Sequence, residues 1–442
     1  MIFTLIKKIS GWEFSSSYKK VMGNAGWLLF DRFLRMAVGI YVTVWVARYL
    51  GPEQFGLLNY AFALTAILSL LSTLGLEQII IRDLVKDPAL KNVTLGTSFI
   101  LKLSGSFFSI ILSVLIVTIM RPGEYLIIFI VAIIATGTLF QSSDVIDLFF
   151  KSRVESKYPV LSKSFPFILI NLFKIYLIIN DAPLIAFAWA AMAEVAFGAV
   201  GLTLTYKLTR NCFKEWQYSF RRAKELLSES WPLLLSGIAV LIYMRIDQIM
   251  LGQIVGDSAV GFYSAALKLS EVWYTIPIAI MNSATPIITK SYTNDLNQYH
   301  KRIQKLFNLM TLIGLTLAIP TTFLSSFIIQ IIYGKEFLIS AAILSIHIWS
   351  SIFIGWGLLK DMILVTQSLV KIILVTTLVG ALCNVLLNLI LIPSHFGVGA
   401  AWATLISQVF SVSVVLLFFK QTRLYTGMQI KSLLKFYDII PK

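Results

Sequence analysis

The sequence predicts an all-α, polytopic membrane protein with about 12 transmembrane helices. Apolar residues make up 57% of the chain, and Asp, Glu, Lys and Arg together make up 13%. The charged share is about half of the roughly 25% that soluble proteins contain. The apolar residues form long runs separated by short polar pieces, and a membrane span needs about 20 mostly apolar residues. A soluble fold is excluded because these runs are too many for one aqueous core to bury.

The distribution of Lys and Arg predicts the orientation of the spans, because cytoplasmic loops carry an excess of both residues. They concentrate before the first span, after the second, fourth, sixth and eighth spans and in the tail, so we expect both termini to be cytoplasmic. The same distribution accounts for the net charge of +15, and no nucleic-acid partner is expected. The predicted spans cover residues 24–47, 56–80, 95–120, 125–150, 159–180, 184–206, 228–252, 259–288, 306–331, 339–362, 370–392 and 397–419.

Two short repeats suggest that the chain consists of two related halves. The segment LGPEQFGLLNYAFAL at 50–64 aligns with VGDSAVGFYSAALKL at 255–269, and AWA at 188–190 recurs at 401–403. Internal repeats of this kind are common in transporters, in which each half forms a helical bundle. We therefore predict an interfacial segment over 1–23, a first six-helix bundle over 24–206, a cytoplasmic amphipathic linker over 207–227, a second six-helix bundle over 228–419 and a cytoplasmic tail over 420–442.

Several cations lie within the predicted spans, where a charge costs about 2.5–3.5 kcal/mol and usually faces the interior of a bundle. An anionic cargo would explain so many of them, since Arg offers phosphate a planar fork and Lys offers it a mobile point charge. The alternative is that the long side chains extend to the membrane surface, and this is slightly favoured for Lys102. The candidate cargo-binding cations are Arg32, Arg35, Lys102, Lys174, Arg245 and Lys268.

Acidic residues in the spans are candidates for binding a coupling ion. Asp247, Glu271 and Glu194 could bind and release H+ or Na+, although Glu271 could also neutralise Lys268 three residues away. Asp31 lies four residues before Arg35 and can pair with it. Asp144 and Asp147 lie near the ends of spans and are expected to be solvated. His347 could carry protons, but a packing role is the favoured interpretation.

The motifs that are missing argue against an enzyme. The sequence has no G-x-x-x-x-G-K-[ST] phosphate loop and no H-E-x-x-H motif. Its two cysteines, Cys212 and Cys383, form no metal-binding cluster, and no cofactor or metal is expected beyond a coupling ion. No loop is long enough to hold the active site of a glycosyltransferase. The sequence therefore favours a secondary transporter.

Several segments resemble the bacterial polysaccharide repeat-unit flippases, the O-antigen or Wzx type. This family is related to the multidrug and toxin extrusion transporters and to the peptidoglycan lipid flippases. The resemblance covers about residues 24–420. It is carried by ARYLGPEQFGLLNYAFAL at 47–64, RIDQIMLG at 245–252, VGFYSAALKLSEVWY at 260–274, ATP at 284–286 and GVGAAWAT at 397–404.

The resemblance implies two six-helix bundles that form a V-shaped central cavity in the bacterial inner membrane. It also implies that the cargo is an undecaprenyl-diphosphate-linked oligosaccharide, moved from the cytoplasmic to the periplasmic leaflet by alternating access. Surrounding lipid, a polysaccharide polymerase and a chain-length regulator are the expected partners. Two alternatives stay open. A cation-coupled multidrug exporter of the same superfamily would prefer an acidic cavity, and a membrane glycan polymerase or ligase would need a large periplasmic loop.

Overall fold

The computed structural model describes residues 16–436, in which every regular element is a helix. The α-helices are α1 (Ser16–Thr73), α2 (Glu77–Lys86), α3 (Lys91–Met120), α4 (Tyr125–Gln141), α5 (Asp144–Ser152), α6 (Lys157–Ile179), α7 (Leu184–Leu208), α8 (Phe220–Ile254), α9 (Asp257–Glu271), α10 (Thr275–Asn294), α11 (Leu296–Ile332), α12 (Ser340–His347), α13 (Ser350–Thr366), α14 (Val370–Val409) and α15 (Arg423–Leu434). The predicted interfacial segment over 1–23 falls largely outside this range.

The helices account for the predicted number of spans. Nine helical stretches in the described range are long and apolar enough to cross a membrane. Two of them are interrupted, at Gly51 within α1 and at Phe396 within α14, where the backbone leaves the helical conformation. Division at these breaks gives eleven segments, and α9 with α10 corresponds to the remaining predicted span. The all-α, polytopic fold is thus confirmed.

Both copies of the first repeat contain a glycine with a similar backbone conformation. Gly51 (φ 70°, ψ 174°) and Gly256 (φ 120°, ψ 174°) both adopt a positive φ immediately before a helical segment, which glycine does without steric cost. Gly56 and Gly261 lie where two helices touch. A Cβ atom on Gly56 would lie 1.7 Å from the carbonyl oxygen of Asp257, and one on Gly261 would lie 1.9 Å from that of Pro52. The two aligned segments therefore pack directly against each other.

The second repeat shows the same burial pattern in both copies. Trp189 is 47% exposed and Trp402 is 46% exposed, while the alanines on either side of each are at most 2% exposed. Exposed aromatic residues on a membrane helix suit contact with lipid, and buried alanines permit close helix packing. Both repeats thus support two structurally related halves.

The chain forms two compact units. Unit 1 contains the residues up to Val42, Ser69–Leu112 and Ile133–Leu234. Unit 2 contains Thr43–Leu68, Ser113–Ala132 and the residues from Leu235 onward. Parts of α1, α3 and α4 therefore belong to the unit that holds the second half of the sequence. The boundaries of the two predicted bundles, 24–206 and 228–419, stay predictions.

The segment predicted as a linker contributes to the packing of unit 1. Helix α8 begins at Phe220, so the amphipathic residues at the end of 207–227 continue directly into the next span. Trp216 donates a hydrogen bond from Nε1 to the hydroxyl of Tyr206 at 3.0 Å, and Arg222 forms an ion pair with Asp83. Leu226 joins a buried apolar cluster with residues of α2, α5 and α7.

The predicted tail contains a helix that packs on unit 2. Gln429 of α15 donates a hydrogen bond to the carbonyl oxygen of Val412 at 3.1 Å, and Ser432 lies 2.8 Å from the hydroxyl of Thr311. Tyr425 is 3% exposed and belongs to the apolar cluster of α11 and α13. At least part of the 420–442 segment is therefore an integral part of this unit.

Candidate functional site

A polar cavity of about 380 Å³ lies inside unit 1, among α1, α4, α5, α6 and α7. All of these helices belong to stretches that can cross a membrane. Charged residues at such positions are costly unless they face water or one another. The cavity is therefore the candidate substrate site of this unit. Its charged lining residues are Asp31, Arg35, Asp144, Asp147, Lys151, Lys163 and Glu194.

One side of the cavity is organised around Lys163. Its Nζ atom lies 2.8 Å from Oδ1 of Asp144 and 2.7 Å from Oδ2 of Asp147, and Lys151 lies 3.4 Å from the same oxygen of Asp147. Asp147 is 8% exposed, so the expectation that Asp144 and Asp147 are solvated is wrong for Asp147. The lysine of α6 compensates for the lost hydration. Sequence reasoning missed Lys163, although a lysine within an apolar span is itself a signal.

The other side contains three of the predicted residues, Asp31, Arg35 and Glu194. Arg35 pairs with Asp31 at 2.9 Å, as the spacing of four residues predicts, and its Nη1 lies 4.0 Å from Glu194. Glu194 also accepts a hydrogen bond from Lys174 at 3.3 Å. The guanidinium of Arg35 lies 4.8 Å from the centre of the Phe167 ring. The coupling-ion candidate Glu194 therefore bridges two of the candidate cargo-binding cations.

Arg32 and Lys102 occupy different environments from Arg35. Arg32 is exposed. Lys102 is 1% exposed, so the interpretation that it extends to the membrane surface is wrong. No residue within 16–436 accepts a hydrogen bond from its ammonium or forms an ion pair with it, and neither side chain lines the polar cavity.

The cavity carries both signs of charge, with four carboxylates and three cations among its lining residues. The carboxylates hold the cations in place and partly neutralise them. The roles predicted for Arg32, Arg35, Lys102, Lys174, Arg245 and Lys268 in cargo binding stay predictions.

In unit 2, Arg245 of α8 forms an ion pair with Glu271 of α9 at 3.5 Å. Asp247 lies two residues from Arg245 and does not face it on the helix, so Glu271 of the neighbouring helix is the partner of Arg245. Lys268 lies half-buried on α9. Two of the predicted cations, Arg245 and Lys268, and two of the candidate carboxylates, Asp247 and Glu271, thus lie on the helix pair α8 and α9.

Asp247 is the centre of a buried polar cluster in unit 2. It is 2% exposed. Its Oδ2 atom accepts hydrogen bonds from Tyr263 at 2.7 Å and from Thr404 at 2.5 Å, and its Oδ1 accepts one from Asn388 at 2.5 Å. No Lys, Arg or His in the described chain forms an ion pair with Asp247. The carboxylate is therefore held by neutral donors alone.

Sequence reasoning identified Asp247 but missed the residues around it. Asn388 also donates to Oδ1 of Asn384 at 3.1 Å, and the buried Oδ1 of Asn388 has no hydrogen-bond partner among residues 16–436. The two asparagines lie four residues apart on α14, so they share one face of the helix. Two amides at this spacing within an apolar span were the signal that could have revealed the cluster.

His347 has the packing role that the sequence favoured. Its side chain is 2% exposed, and its Nδ1 lies 2.8 Å from the hydroxyl of Ser270. Its ring meets that of Tyr263 edge to face, with the ring centres 6.1 Å apart. Among residues 16–436, no group of three or more His, Cys, Asp or Glu side chains is arranged to hold a metal ion.

Arg121, which the sequence analysis did not single out, is a central residue of unit 2. It is 5% exposed and donates hydrogen bonds to the carbonyl oxygen of Gly252 at 2.8 Å and to Asp257 at 3.0 Å. Its guanidinium lies 4.3 Å from the centre of the Tyr60 ring. Burial lowers the pKa of Arg121, but the hydrogen bond and the charge of Asp257 outweigh it and raise the pKa. The charged guanidinium joins α3, α8 and α9.

Two family models match the chain. The model described as polysaccharide biosynthesis protein matches residues 21–292, and the MatE model matches residues 232–390. The first covers more than half of the chain and includes all the residues that line the polar cavity of unit 1. The second includes Asp247, Tyr263 and Asn388.

Individual relatives are distant. A probable low-salt glycan biosynthesis flippase of Haloferax volcanii is 26% identical over 49% of this chain, but the match spans only 45% of that relative's length. A putative O-antigen transporter of Shigella flexneri is 25% identical over 73% of this chain and 78% of its own. Both names describe transport in glycan synthesis.

Solved structures share the fold. A multidrug resistance transporter of the MATE family, of the MOP superfamily, in an inward-facing conformation, aligns with a TM-score of 0.71 at 13% identity, over 90% of this chain and 96% of its own. The lipid II flippase MurJ in an inward closed conformation aligns with a TM-score of 0.65 at 17% identity, over 93% of both chains.

Proposed function

We propose, from the premise that this chain belongs to the polysaccharide biosynthesis protein family, that it moves lipid-linked oligosaccharides across a membrane. The cargo class is an oligosaccharide on undecaprenyl diphosphate, destined for O-antigen or a related surface polysaccharide. Its polar head cannot cross hydrocarbon unaided, because its charges and hydroxyls would lose their hydration. The protein supplies a polar route in place of water.

The polar cavity of unit 1 is the observation that carries this proposal. Its cations, Arg35, Lys151 and Lys163, can attract the diphosphate, since charge-assisted hydrogen bonds to phosphate are strong. Its four carboxylates suit the hydroxyl groups of sugars, and so does the hydroxyl of Ser164, which donates to Oδ1 of Asp31 at 2.8 Å. A ligand pocket usually has a volume of about 300–1,000 Å³, and the cavity falls within that range at about 380 Å³.

The movement we propose is alternating access, in which the polyprenyl tail stays in the lipid and the head passes through the protein. Arg32 and Arg35 would attract the diphosphate at the cytoplasmic entrance, whereas Lys102 is buried and does not line the polar cavity. Lys174, Arg245 and Lys268 would stabilise it farther along the route. We place the protein in the bacterial inner membrane with both termini cytoplasmic, on the basis of its basic loops. A polysaccharide polymerase and a chain-length regulator are its proposed partners.

Asp247 is the proposed site for a coupling cation. Both oxygens of Asp247, the free Oδ1 of Asn388 and the hydroxyl oxygens of Thr404 and Tyr263 are concentrated in one buried cluster. Hard cations prefer such oxygen ligands, and the absence of a cationic neighbour leaves one negative charge to be compensated. We therefore favour Na+ over H+ at this position. Glu194 and Glu271 are already engaged by Lys174 and Arg245, so they are weaker candidates.

Deletion of the gene in its native host tests the proposed cargo. We expect loss of surface polysaccharide and accumulation of its sugar units on undecaprenyl diphosphate at the cytoplasmic face. Arg245→Ala should reduce the polysaccharide without lowering the amount of protein. Normal polysaccharide from an Arg245→Ala, Lys268→Ala double variant would rule out the role of those two residues.

A cation-coupled multidrug exporter is the second candidate. The match of the MatE model to residues 232–390 favours it, and so do the carboxylates in the cavity of unit 1, which could bind a cationic drug. Unchanged polysaccharide after deletion, together with new sensitivity to cationic drugs, would favour this function. A glycan polymerase or ligase would instead be revealed by glycan transfer in the purified protein.

A further inference from the structure

A second cavity of about 490 Å³ lies in unit 1, apart from the polar cavity described above. It is bordered by the end of α2, the short turn at Pro88–Leu90, the start of α3 and the end of α5. These segments form the ends of predicted spans and the loops between them, so the cavity lies at the level of the membrane surface. Its lining residues are Leu84, Val85, Pro88, Lys91, Phe149, Ser152 and Arg153.

Two cations converge in this cavity. Nζ of Lys91 lies 5.0 Å from the centre of the Phe149 ring, and the guanidinium of Arg153 lies 5.3 Å from the same centre. Like charges repel each other, and Arg153 acts in this way on Lys91. A shared aromatic ring stabilises each of them by only about 0.5–1 kcal/mol at an exposed site. The arrangement is therefore incomplete without an anion.

The protein itself provides little compensation. Within the described part of the chain, neither Lys91 nor Arg153 forms an ion pair with a carboxylate, unlike Lys151, which pairs with Asp147. Nζ of Lys91 donates to Oδ1 of Asn211 at 2.7 Å, which is a neutral amide. Glu215 acts on Lys91 from farther away, but its Oε2 already accepts a hydrogen bond from Asn92 at 3.1 Å.

The remaining walls of the cavity are apolar. Leu84, Val85 and Pro88 all line the cavity. Val85 is 60% exposed and Leu84 is 7% exposed. A cavity with two cations at one end and an apolar wall beside them matches a molecule with an anionic head and a hydrocarbon chain. Basic pockets at the cytoplasmic side of membrane helices bind anionic lipid headgroups in this manner.

We propose that this cavity binds the phosphate group of an anionic membrane lipid, with Lys91 and Arg153 as its ligands and Leu84, Val85 and Pro88 against the lipid chain. The hydroxyl of Ser152, which donates to the carbonyl oxygen of Phe149 at 2.7 Å, is free to accept a hydrogen bond from a headgroup hydroxyl. The site goes beyond the proposed transport function, because it lies outside the polar cavity and needs no cargo.

Spin-labelled lipids provide the test. The purified protein is reconstituted in phosphatidylcholine bilayers that contain a small fraction of either spin-labelled phosphatidylglycerol or spin-labelled phosphatidylcholine. The immobilised fraction of each gives the selectivity for the anionic headgroup. Because a cation near the membrane surface changes binding by about fivefold, Arg153→Ala should lower this selectivity by about that factor. Arg221→Ala is the matched control, since it removes one arginine that is 92% exposed and lies outside the cavity.

Two further experiments identify the source of the phosphate and control for misfolding of the variants. Inorganic phosphate at constant ionic strength should not displace the lipid, because phosphate lacks a hydrocarbon chain. The Val85→Trp substitution fills the apolar side of the cavity and leaves both cations in place, and it should weaken lipid binding as Arg153→Ala does. Unchanged selectivity in a monodisperse Arg153→Ala protein would overturn the proposal. An equal loss in Arg221→Ala would also overturn it, because the effect would then be that of surface charge alone.

Discussion

Substitution of Arg121 by alanine provides a quantitative test of how unit 2 is stabilised. The change removes a guanidinium that is 5% exposed. It leaves Asp257, whose side chain is 15% exposed, without its nearest cation. Breaking a buried ion pair costs about 3–5 kcal/mol. Asp257 opens α9, and a carboxylate at the start of a helix recovers about 0.3–1 kcal/mol. We therefore expect a loss of about 2–5 kcal/mol in the free energy of unfolding.

Thermal unfolding in detergent measures this loss. A change of 1 kcal/mol shifts the Tm of a domain of 150–250 residues by about 2–4 °C, and a longer chain shifts less. At about 2.1 cal/mol/K per residue, the unfolding entropy of 442 residues is about 0.9 kcal/mol/K, so we expect Arg121→Ala to lower the Tm by about 2–5 °C at a fixed scan rate. Arg221→Ala should leave it unchanged, because its pair with Glu225 is exposed. The Tm of Arg121→Lys should lie between those of Arg121→Ala and Arg221→Ala, since lysine keeps the charge but lacks the planar guanidinium.

A double-mutant cycle identifies the contact responsible. If the Arg121–Asp257 pair dominates, Arg121→Ala combined with Asp257→Asn should cost clearly less than the sum of the two single changes. A Tm of Arg121→Ala within about 1 °C of the parent protein would refute the reasoning. Strict additivity in the cycle would show that the loss comes from the contacts with Gly252 and Tyr60 instead.

Three further predictions follow from single positions. Asp247→Asn should abolish any rise of the Tm with Na+ relative to K+, because the cation site loses its charge; a rise that persists would contradict the site. Gly261→Ala should sharply reduce the yield of folded protein on size exclusion, since its Cβ would lie 1.9 Å from the backbone of Pro52, whereas Gly427→Ala, with open space around it, should not. Lys163→Ala should lower the Tm by several degrees and reduce surface polysaccharide, because Asp144 loses the ammonium 2.8 Å away and Asp147 keeps only Lys151 at 3.4 Å; a variant with normal Tm would contradict the role of the lysine.

The fold could be predicted largely because its signals are local. The length of apolar runs predicted the spans, and the aligned glycines Gly51 and Gly256 predicted equivalent turns, which the positive φ at both confirms. The pairing of Asp31 with Arg35 also followed from spacing alone. Helix α15 was missed because its burial depends on a surface of α11 that no local pattern reveals.

The candidate sites were harder to predict because their partners are distant in sequence. Lys163 reaches Asp144 and Asp147 only because α5 and α6 fold back on each other, and the same packing buries Asp147, which was expected to be solvated. Asp247 stood out as a charge within a span. Thr404, which hydrogen-bonds to it across 157 positions of the chain, could not be assigned without the packing of α8 against α14. Lys102 was expected near the membrane surface and is instead buried.

Transport of a lipid-linked oligosaccharide in reconstituted vesicles tests the central claim most directly. Vesicles carry a fluorescent polyprenyl-diphosphate oligosaccharide in both leaflets, and a membrane-impermeant glycosidase is added outside. Without rapid exchange between leaflets, only the outer pool is cleaved. Our account predicts that the protein makes the inner pool accessible and that Lys163→Ala slows this exchange. Cleavage that stops at the outer pool in vesicles containing folded protein, with or without a Na+ gradient, would contradict the account.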